Sequence, residues 1–278
     1  MDSLPEQAPL PNPESERYAA RALALTRSLP PPRVVAYGPS PYQRIAIYAP
    51  ERGDGPPLPI VMYMHGGGWT HGHKEWTGLV AGGLVPAPAI VASVGYRLAP
   101  EARHPAPLED CIDAACRLRA MAGEIGADPD RLVVAGHSAG GQLAALMALR
   151  PDVAGPRGLP AKAIVACMPV SGMLDLRDFT APGALPATLA REEQMADASP
   201  LEWTANARCP FLLAWGGMDY EPIIASNLGF ASRLRTAGAT LDAVAYPELD
   251  HYEIALAAAD PGHDWCRRAA RLIGALPA

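Results

Sequence analysis

An α/β architecture is encoded in this chain: a mostly parallel central sheet of about eight strands, with helices on both faces and a small lid. Short apolar runs of strand length alternate with longer stretches of helical spacing, the pattern of successive strand–helix–strand crossovers. One such run, Leu132 to Ala135, passes through Gly136-His137-Ser138-Ala139-Gly140 directly into an Ala-rich apolar helical stretch, Gln142 to Leu149. The 278 residues show no internal repeat and no second-domain boundary. One large core is therefore expected over 33–278, with 1–32 as an N-terminal arm and helix forming part of a cap.

Residues 1–13 hold four prolines and read as a loose arm. Glu14 to Leu29 has helical spacing in Tyr18, Ala22, Leu25 and Leu29, and Pro30-Pro31-Pro32 stops it. Arg33 to Tyr37 and Arg44 to Tyr48 form an antiparallel hairpin around Gly38-Pro39-Ser40-Pro41. After the turn cluster Gly53–Pro59, the unbroken apolar run Ile60 to Met64 is a strand buried on both faces. A helical stretch around Glu75 to Val85 precedes the strand Ala89 to Val94, and a helix from about Pro107 to Gly123 precedes strand 131–135. Ala163 to Met168 is the sixth strand. Residues 171–207 are irregular, with one helical piece near Leu189 to Ala196, and their place after a strand end makes them the candidate lid. Phe211 to Trp215 and Leu241 to Tyr246 are the last strands, separated by a helix Ile224–Ala237 that Gly238 ends. A helix from about His263 to Ile273 follows.

Composition narrows the function. With 23 basic and 29 acidic residues the net charge is −6, which favours neither nucleic acid nor an anionic membrane as partner. No apolar run is long enough to span a bilayer, and Met1-Asp2-Ser3-Leu4-Pro5-Glu6 lacks the basic and apolar regions of a signal peptide, so a cytoplasmic protein is expected. Cys111, Cys116, Cys167, Cys209 and Cys266 form no C-x-x-C pair and read as buried free thiols, with neither a disulfide framework nor a zinc site.

The chemistry converges on Ser138. The sharp turn around it lifts the hydroxyl to the open end of the sheet and brings the Ala139 amide, at a helix N-terminus, beside it. A serine hydroxyl needs a base, and the base an orienting carboxylate, in the chain order Ser, Asp or Glu, His. Strand 211–215 is followed by Gly216-Gly217-Met218-Asp219, and strand 241–246 by Pro247-Glu248-Leu249-Asp250-His251. Asp219 and His251 thus fall in loops at the sheet edge that carries Ser138. Asp175 is the runner-up acid. Asp250 and Glu221 are weaker choices, the first as a solvated loop charge; His263 suits a helix start. His137 is more readily structural or pocket-lining than the base. His65-Gly66-Gly67-Gly68 follows an early buried strand, and its consecutive glycines let backbone amides complete an oxyanion hole with that of Ala139. His65 pins that loop by hydrogen bonding. His71 and His73 have no third ligand and are read as exposed loop residues, so no metal is expected. Trp69, Tyr220 and Tyr252, with His137, flank the catalytic loops as candidate substrate contacts.

Assembled in this way, the chain resembles the α/β-hydrolase family from about Val34 to Leu272. His65-Gly66-Gly67-Gly68, Tyr96-Arg97-Leu98-Ala99-Pro100-Glu101 and Pro105-Ala106-Pro107-Leu108-Glu109-Asp110 resemble the hormone-sensitive-lipase-like carboxylesterases. Trp69 with Gly72 and Lys74, Gly136-His137-Ser138-Ala139-Gly140, Ser171-Gly172-Met173-Leu174-Asp175-Leu176 and Asp250-His251-Tyr252-Glu253-Ile254 are similar to kynurenine formamidases, although Gly68 stands where formamidases commonly have a bulky residue. The resemblance implies Ser138 as nucleophile, His251 as base and then acid, Asp219 as its orienter, and Gly67, Gly68 and Ala139 as amide donors; such a mechanism needs no cofactor. The implied substrate is a small-molecule acyl ester, or alternatively an aryl formamide; a homodimer is the candidate assembly. A non-catalytic ligand-binding homologue is the alternative of another class, and the intact Ser, Asp and His argue against it. A peptidase of the same fold is expected to need a further N-terminal domain.

Overall fold

The computed structural model describes residues 7–50, 55–179 and 185–276. Residues 1–6 of the expected arm, 53–54 of the expected turn cluster and 180–184 of the expected lid lie outside the described residues. The strands are β1 (Arg33–Ala36), β2 (Arg44–Tyr48), β3 (Leu58–Met64), β4 (Ile90–Val94), β5 (Ala127–His137), β6 (Ile164–Val170), β7 (Phe211–Gly216) and β8 (Leu241–Tyr246). They form one eight-stranded sheet in the order β1-β2-β4-β3-β5-β6-β7-β8. β1 pairs with β2, and β2 with β4, in antiparallel fashion; every pair from β4 to β8 is parallel. The C-terminal ends of β3, β5, β7 and β8 therefore share one edge, where open α/β sheets gather their functional loops.

Side chains alternate across each strand, so the apolar runs feed two cores. Ile60, Met62 and Met64 enter one core with Leu108, Ile112 and Leu118 of the helix Ala106–Ala120, and Val61 and Tyr63 enter the other with Trp265 and Ile273 of the helix Asp264–Gly274. The first helix, Pro13–Arg27, lies on this second core through Tyr18, Ala19 and Ala22. Asn12 caps it, accepting from the Ser15 amide at 2.8 Å. The sequence predicts a loose arm before it, but the arm is pinned at Gln7: the Gln7 amide group donates to the Gly72 carbonyl (2.7 Å) and accepts from the Gly72 N–H (2.9 Å).

Two expected helices are shorter than their spacing implied. The stretch 75–85 is a 3-10 turn, Lys74–Trp76, and a single helical turn, Val80–Gly83, because Gly78, Gly82 and Gly83 weaken helix propensity there. The piece at 189–196 contains only the 3-10 turn Glu192–Gln194. Tertiary partners claim its backbone instead: the Leu189 carbonyl accepts from Arg103 at 2.7 Å. Leu189 and Ala198 are buried, and Gln142 of the helix Ala139–Leu149 donates to the Ala198 carbonyl at 2.8 Å. Arg150 adds an ion pair to Asp197 at 2.7 Å, and Asp197 also meets His104 at 2.7 Å.

The motif containing Arg97 and Asp110 is structural. The Asp110 carboxylate is fully buried and accepts from the Arg97 amide and guanidinium and from Gln43 Nε2, all within 3.1 Å. It ties the start of a helix to the segment after β4. Asp110→Ala is expected to destabilise the fold by about 3 kcal/mol, the lower end for a broken buried pair because Arg97 can turn to water. The check is a lowered urea midpoint at unchanged slope.

All five cysteines are free: three are buried, and Cys116 and Cys209 half-buried. Burial raises each thiol above its ordinary pKa, Cys209 and Cys266 to about 12. Among the described residues no helix is long and apolar enough to cross a membrane.

Candidate active site

β5 ends at His137, and Ser138 takes φ 55°, ψ −119°, a left-handed conformation costly for a side-chain-bearing residue. Its surroundings enforce it: the Ser138 N–H donates to the Val170 carbonyl at 2.9 Å, and its carbonyl accepts from Gln142 at 3.1 Å. The helix Ala139–Leu149 then starts so close to the end of β3 that a Cβ on Gly140 would run into the Met64 carbonyl oxygen.

The loops after β7 and β8 bring the partners in. Gly217 N–H donates to the Tyr246 carbonyl (2.7 Å) and Met218 N–H to the Leu249 carbonyl (3.0 Å), locking the two loops together. His251 Nε2 lies 3.0 Å from Ser138 Oγ, and Nδ1 lies 2.8 Å from Asp219 Oδ1. The Asp219 carboxylate also accepts from Ser171 Oγ at 2.6 Å and from the Tyr220 N–H at 2.8 Å. Burial pushes the Asp219 carboxyl up. The hydrogen bonds from His251, Ser171 and the Tyr220 amide, with the charge of His251, outweigh that and hold it below the ordinary carboxylate value. An anionic Asp219 can only accept, so His251 Nδ1 carries the proton and its Nε2 lone pair faces the serine hydroxyl.

The glycine loop after β3 frames the opposite side. Gly67 sits at φ 112° and Gly68 at φ 59°, and the Gly67 carbonyl turns back to accept from Thr70 (3.1 Å) and His71 (3.0 Å). Among the described residues, the amides of Gly67, Gly68 and Ala139 donate no hydrogen bond. Ala139 is the first residue of its helix, where N–H groups have no intrahelical acceptor. Three unengaged amides beside a serine hydroxyl and an imidazole are an arrangement able to hold a developing oxyanion. His65 is fully buried, stacked 4.2 Å from Tyr96, and donates from Nδ1 to the Gly66 carbonyl at 2.7 Å. Burial lowers its pKa to about 3, so it stays neutral and holds the loop.

Ser138 opens into a cavity of about 220 Å³ whose wall includes His137, Tyr252, Gly67 and Gly68. Of the four expected substrate contacts, His137 and Tyr252 line this cavity. Trp69 does not: it is buried against Ala139, Leu176 and Leu189, and its indole N–H donates to Gln142 at 3.2 Å. Tyr220 stands outside it, half exposed, with its ring 5.2 Å from that of His251. The cavity wall instead includes Leu10, Pro11 and Tyr18 from the N-terminal arm and helix, together with Trp76. Their distance in sequence from Ser138 gave no local signal. Ser171 was legible only as part of a longer motif.

The rejected alternatives have other partners. Asp175 pairs with Arg177 at 2.8 Å, and Asp250 accepts from the Tyr252 and Glu253 amides. Glu221 starts the helix Glu221–Thr236, and His263 caps the C-terminal helix, accepting from the Trp265 N–H at 3.3 Å. Neither His71 nor His73 is the exposed loop residue expected: His71 is half-buried in the cavity wall, and His73 is buried, stacked on Tyr42 and edge-on to Trp76, with Gln7 of the arm against it.

This geometry has relatives. A model of the alpha/beta hydrolase fold matches residues 61–212. Carboxylesterase NlhH of Mycobacterium tuberculosis is 50% identical over 101 residues, 36% of this chain and 32% of that protein. The match thus spans about a third of the length of the curated relative. Among solved structures, an esterase of Pyrobaculum calidifontis is 27% identical with a TM-score of 0.69, covering 93% of this chain and 91% of the other. The carboxylesterase EstE1, cloned from a metagenomic library, is 27% identical with a TM-score of 0.73, covering 95% and 96%.

Proposed function

This chain belongs to the alpha/beta hydrolase fold family, and from that premise we propose that it is a serine esterase cleaving small carboxylic esters through an acyl-enzyme. The observation that carries the reading is the unbroken relay Asp219–His251–Ser138, at 2.8 and 3.0 Å, facing amides with no other partner among the described residues. His251 Nε2 takes the hydroxyl proton as Ser138 Oγ attacks the ester carbonyl. The amides of Gly67, Gly68 and Ala139 hold the oxyanion, and Asp219 stabilises the imidazolium. His251 then protonates the leaving alcohol; water, activated by the same imidazole, releases the acid.

The cavity limits what enters. A space of about 220 Å³ walled by Tyr18, Trp76 and Tyr252 suits a short acyl or aryl group better than a long chain. Aryl formamides would pass through the same steps. Five free thiols fit a reducing compartment, and we place the protein in the cytoplasm. The test is a series of p-nitrophenyl esters beside N-formylkynurenine. Acetyl and butyryl esters are expected to exceed the dodecanoyl ester in kcat/KM by about tenfold or more, and the formamide as well. Faster turnover of the dodecanoyl ester would remove the small-substrate assignment, and a preference for the formamide would replace ester with amide cleavage.

A further inference from the structure

His137 performs no step in that reaction, yet it precedes the nucleophile and is 2% exposed. Its Nε2 lies 2.8 Å from the main-chain oxygen of His251. A carbonyl oxygen only accepts, so Nε2 carries the ring proton and Nδ1 the lone pair. The ring centroid is 4.6 Å from that of His251, with the planes at 46°, and 5.9 Å from that of Tyr18. Nδ1 has no partner among the described residues and faces the glycine loop: a Cβ on Gly66 would come within 2.9 Å of it. One side chain thus touches the loop of the base, the loop of the oxyanion amides and the first helix, from the residue bonded to the nucleophile.

A core histidine serving only to fill space would not need the main chain of the base as its partner. The tether matters because His251 is a loop residue, while Ser138 is fixed by the end of β5. The bond from His137 joins the two through a single rigid ring. A shift of His251 by a fraction of an ångström would lengthen its bond to Ser138 Oγ, and misplacements of that size are costly in catalysis.

We propose that His137 is a positioning residue for this hydrolysis: a neutral imidazole that tethers the His251 main chain and packs against its ring, keeping His251 Nε2 on Ser138 Oγ. The proposal rests on the esterase reading above. Neutrality belongs to the role. His251 turns cationic when it takes the serine proton, and a second cation at 4.6 Å would oppose that step. Among the described residues, His251 and Asp219 act on the charge of His137, the Tyr18 ring packs against it, and His71 and Tyr252 share its cavity wall. Burial lowers the His137 pKa to about 3, and the charge of His251 pushes the same way while Asp219 opposes. Burial raises both phenols, so they are uncharged at neutral pH.

The experiment compares wild type with His137→Gln, His137→Asn and His137→Leu on p-nitrophenyl acetate from pH 5 to 9, with melting temperatures alongside. Glutamine can place an N–H near the Nε2 position; asparagine is too short and leucine has no donor. His137→Leu and His137→Asn are expected to lose about tenfold or more in kcat with KM within about twofold, while His137→Gln stays within about threefold of wild type. The acid limb of kcat/KM, which reads the free enzyme's base, should superimpose for wild type and His137→Gln. Should the leucine variant not fold, the glutamine and asparagine pair decides alone. Equal activity in asparagine and wild type, equal loss in glutamine and asparagine, a loss confined to KM, or an acid limb displaced by more than about half a pH unit would each overturn the role. Absence of wild-type turnover would overturn the esterase reading and this proposal together; normal wild-type turnover with indifferent variants overturns the proposal alone.

Discussion

Ser138→Ala is expected to lower kcat/KM on a short aryl ester by roughly 10⁴- to 10⁶-fold while leaving the thermal transition in place. The size follows from the proposed mechanism. Without Oγ no acyl-enzyme forms, and what remains is water attack on a carbonyl polarised by the amides of Gly67, Gly68 and Ala139. The fold should survive because the backbone bonds that hold residue 138, to Val170 and from Gln142, involve no side-chain atom. Covalent labelling by a fluorophosphonate checks the same point by mass: one adduct on wild type, none on the variant. A variant that kept a tenth of wild-type turnover would mean that His251 activates water directly and that Ser138 is not the nucleophile.

Asp219→Asn is expected to cost about 10³- to 10⁴-fold in kcat, again with the fold retained. An asparagine amide offers a donor where the carboxylate offered an acceptor. It can hold the ring of His251 in place with Nδ1 unprotonated, and that leaves the proton on Nε2, where it blocks acceptance from Ser138. The loss should be largest near neutral pH and recover partly at alkaline pH, where hydroxide can act. Linkage sets the behaviour of the wild type in acid. The native Asp219 carboxyl lies below its ordinary value, so its contribution to stability is fully present above the unfolded-state value and is lost as pH falls through the native one. The asparagine variant should therefore show a shallower acid loss of stability than wild type, in urea midpoints measured from pH 6 downward.

Much of this site is legible in the sequence because its residues sit at strand ends. An unbroken apolar run locates a parallel strand, and a parallel strand fixes which edge its following loop joins; Ser138, Asp219 and His251 follow from that rule. The eight strands follow from the same runs. What escapes is whatever depends on pairs distant in the chain. Trp69 adjoins Gly67 and Gly68 in sequence, yet its positive φ of 62° turns it into the core against Leu189. Tyr18 lies 120 residues before Ser138 and reaches the cavity only because Ala19 and Ala22 let its helix settle on the sheet. Ser171 completes the hydrogen bonding of Asp219 from the end of a different strand. Helices broken by glycine or by side chains that take their carbonyls, as at Gly78 and Leu189, are misread when periodicity alone is weighed.

The five raised thiols have a practical consequence for chemical profiling. Thiolate is the species that captures electrophiles, and at neutral pH this chain exposes almost none of it. Carbamates, fluorophosphonates and similar acylating warheads therefore meet little competing thiolate. The stoichiometry of such a reagent counts competent serine centres directly, and the fraction of a preparation that is active can be titrated without first mutating or masking a cysteine.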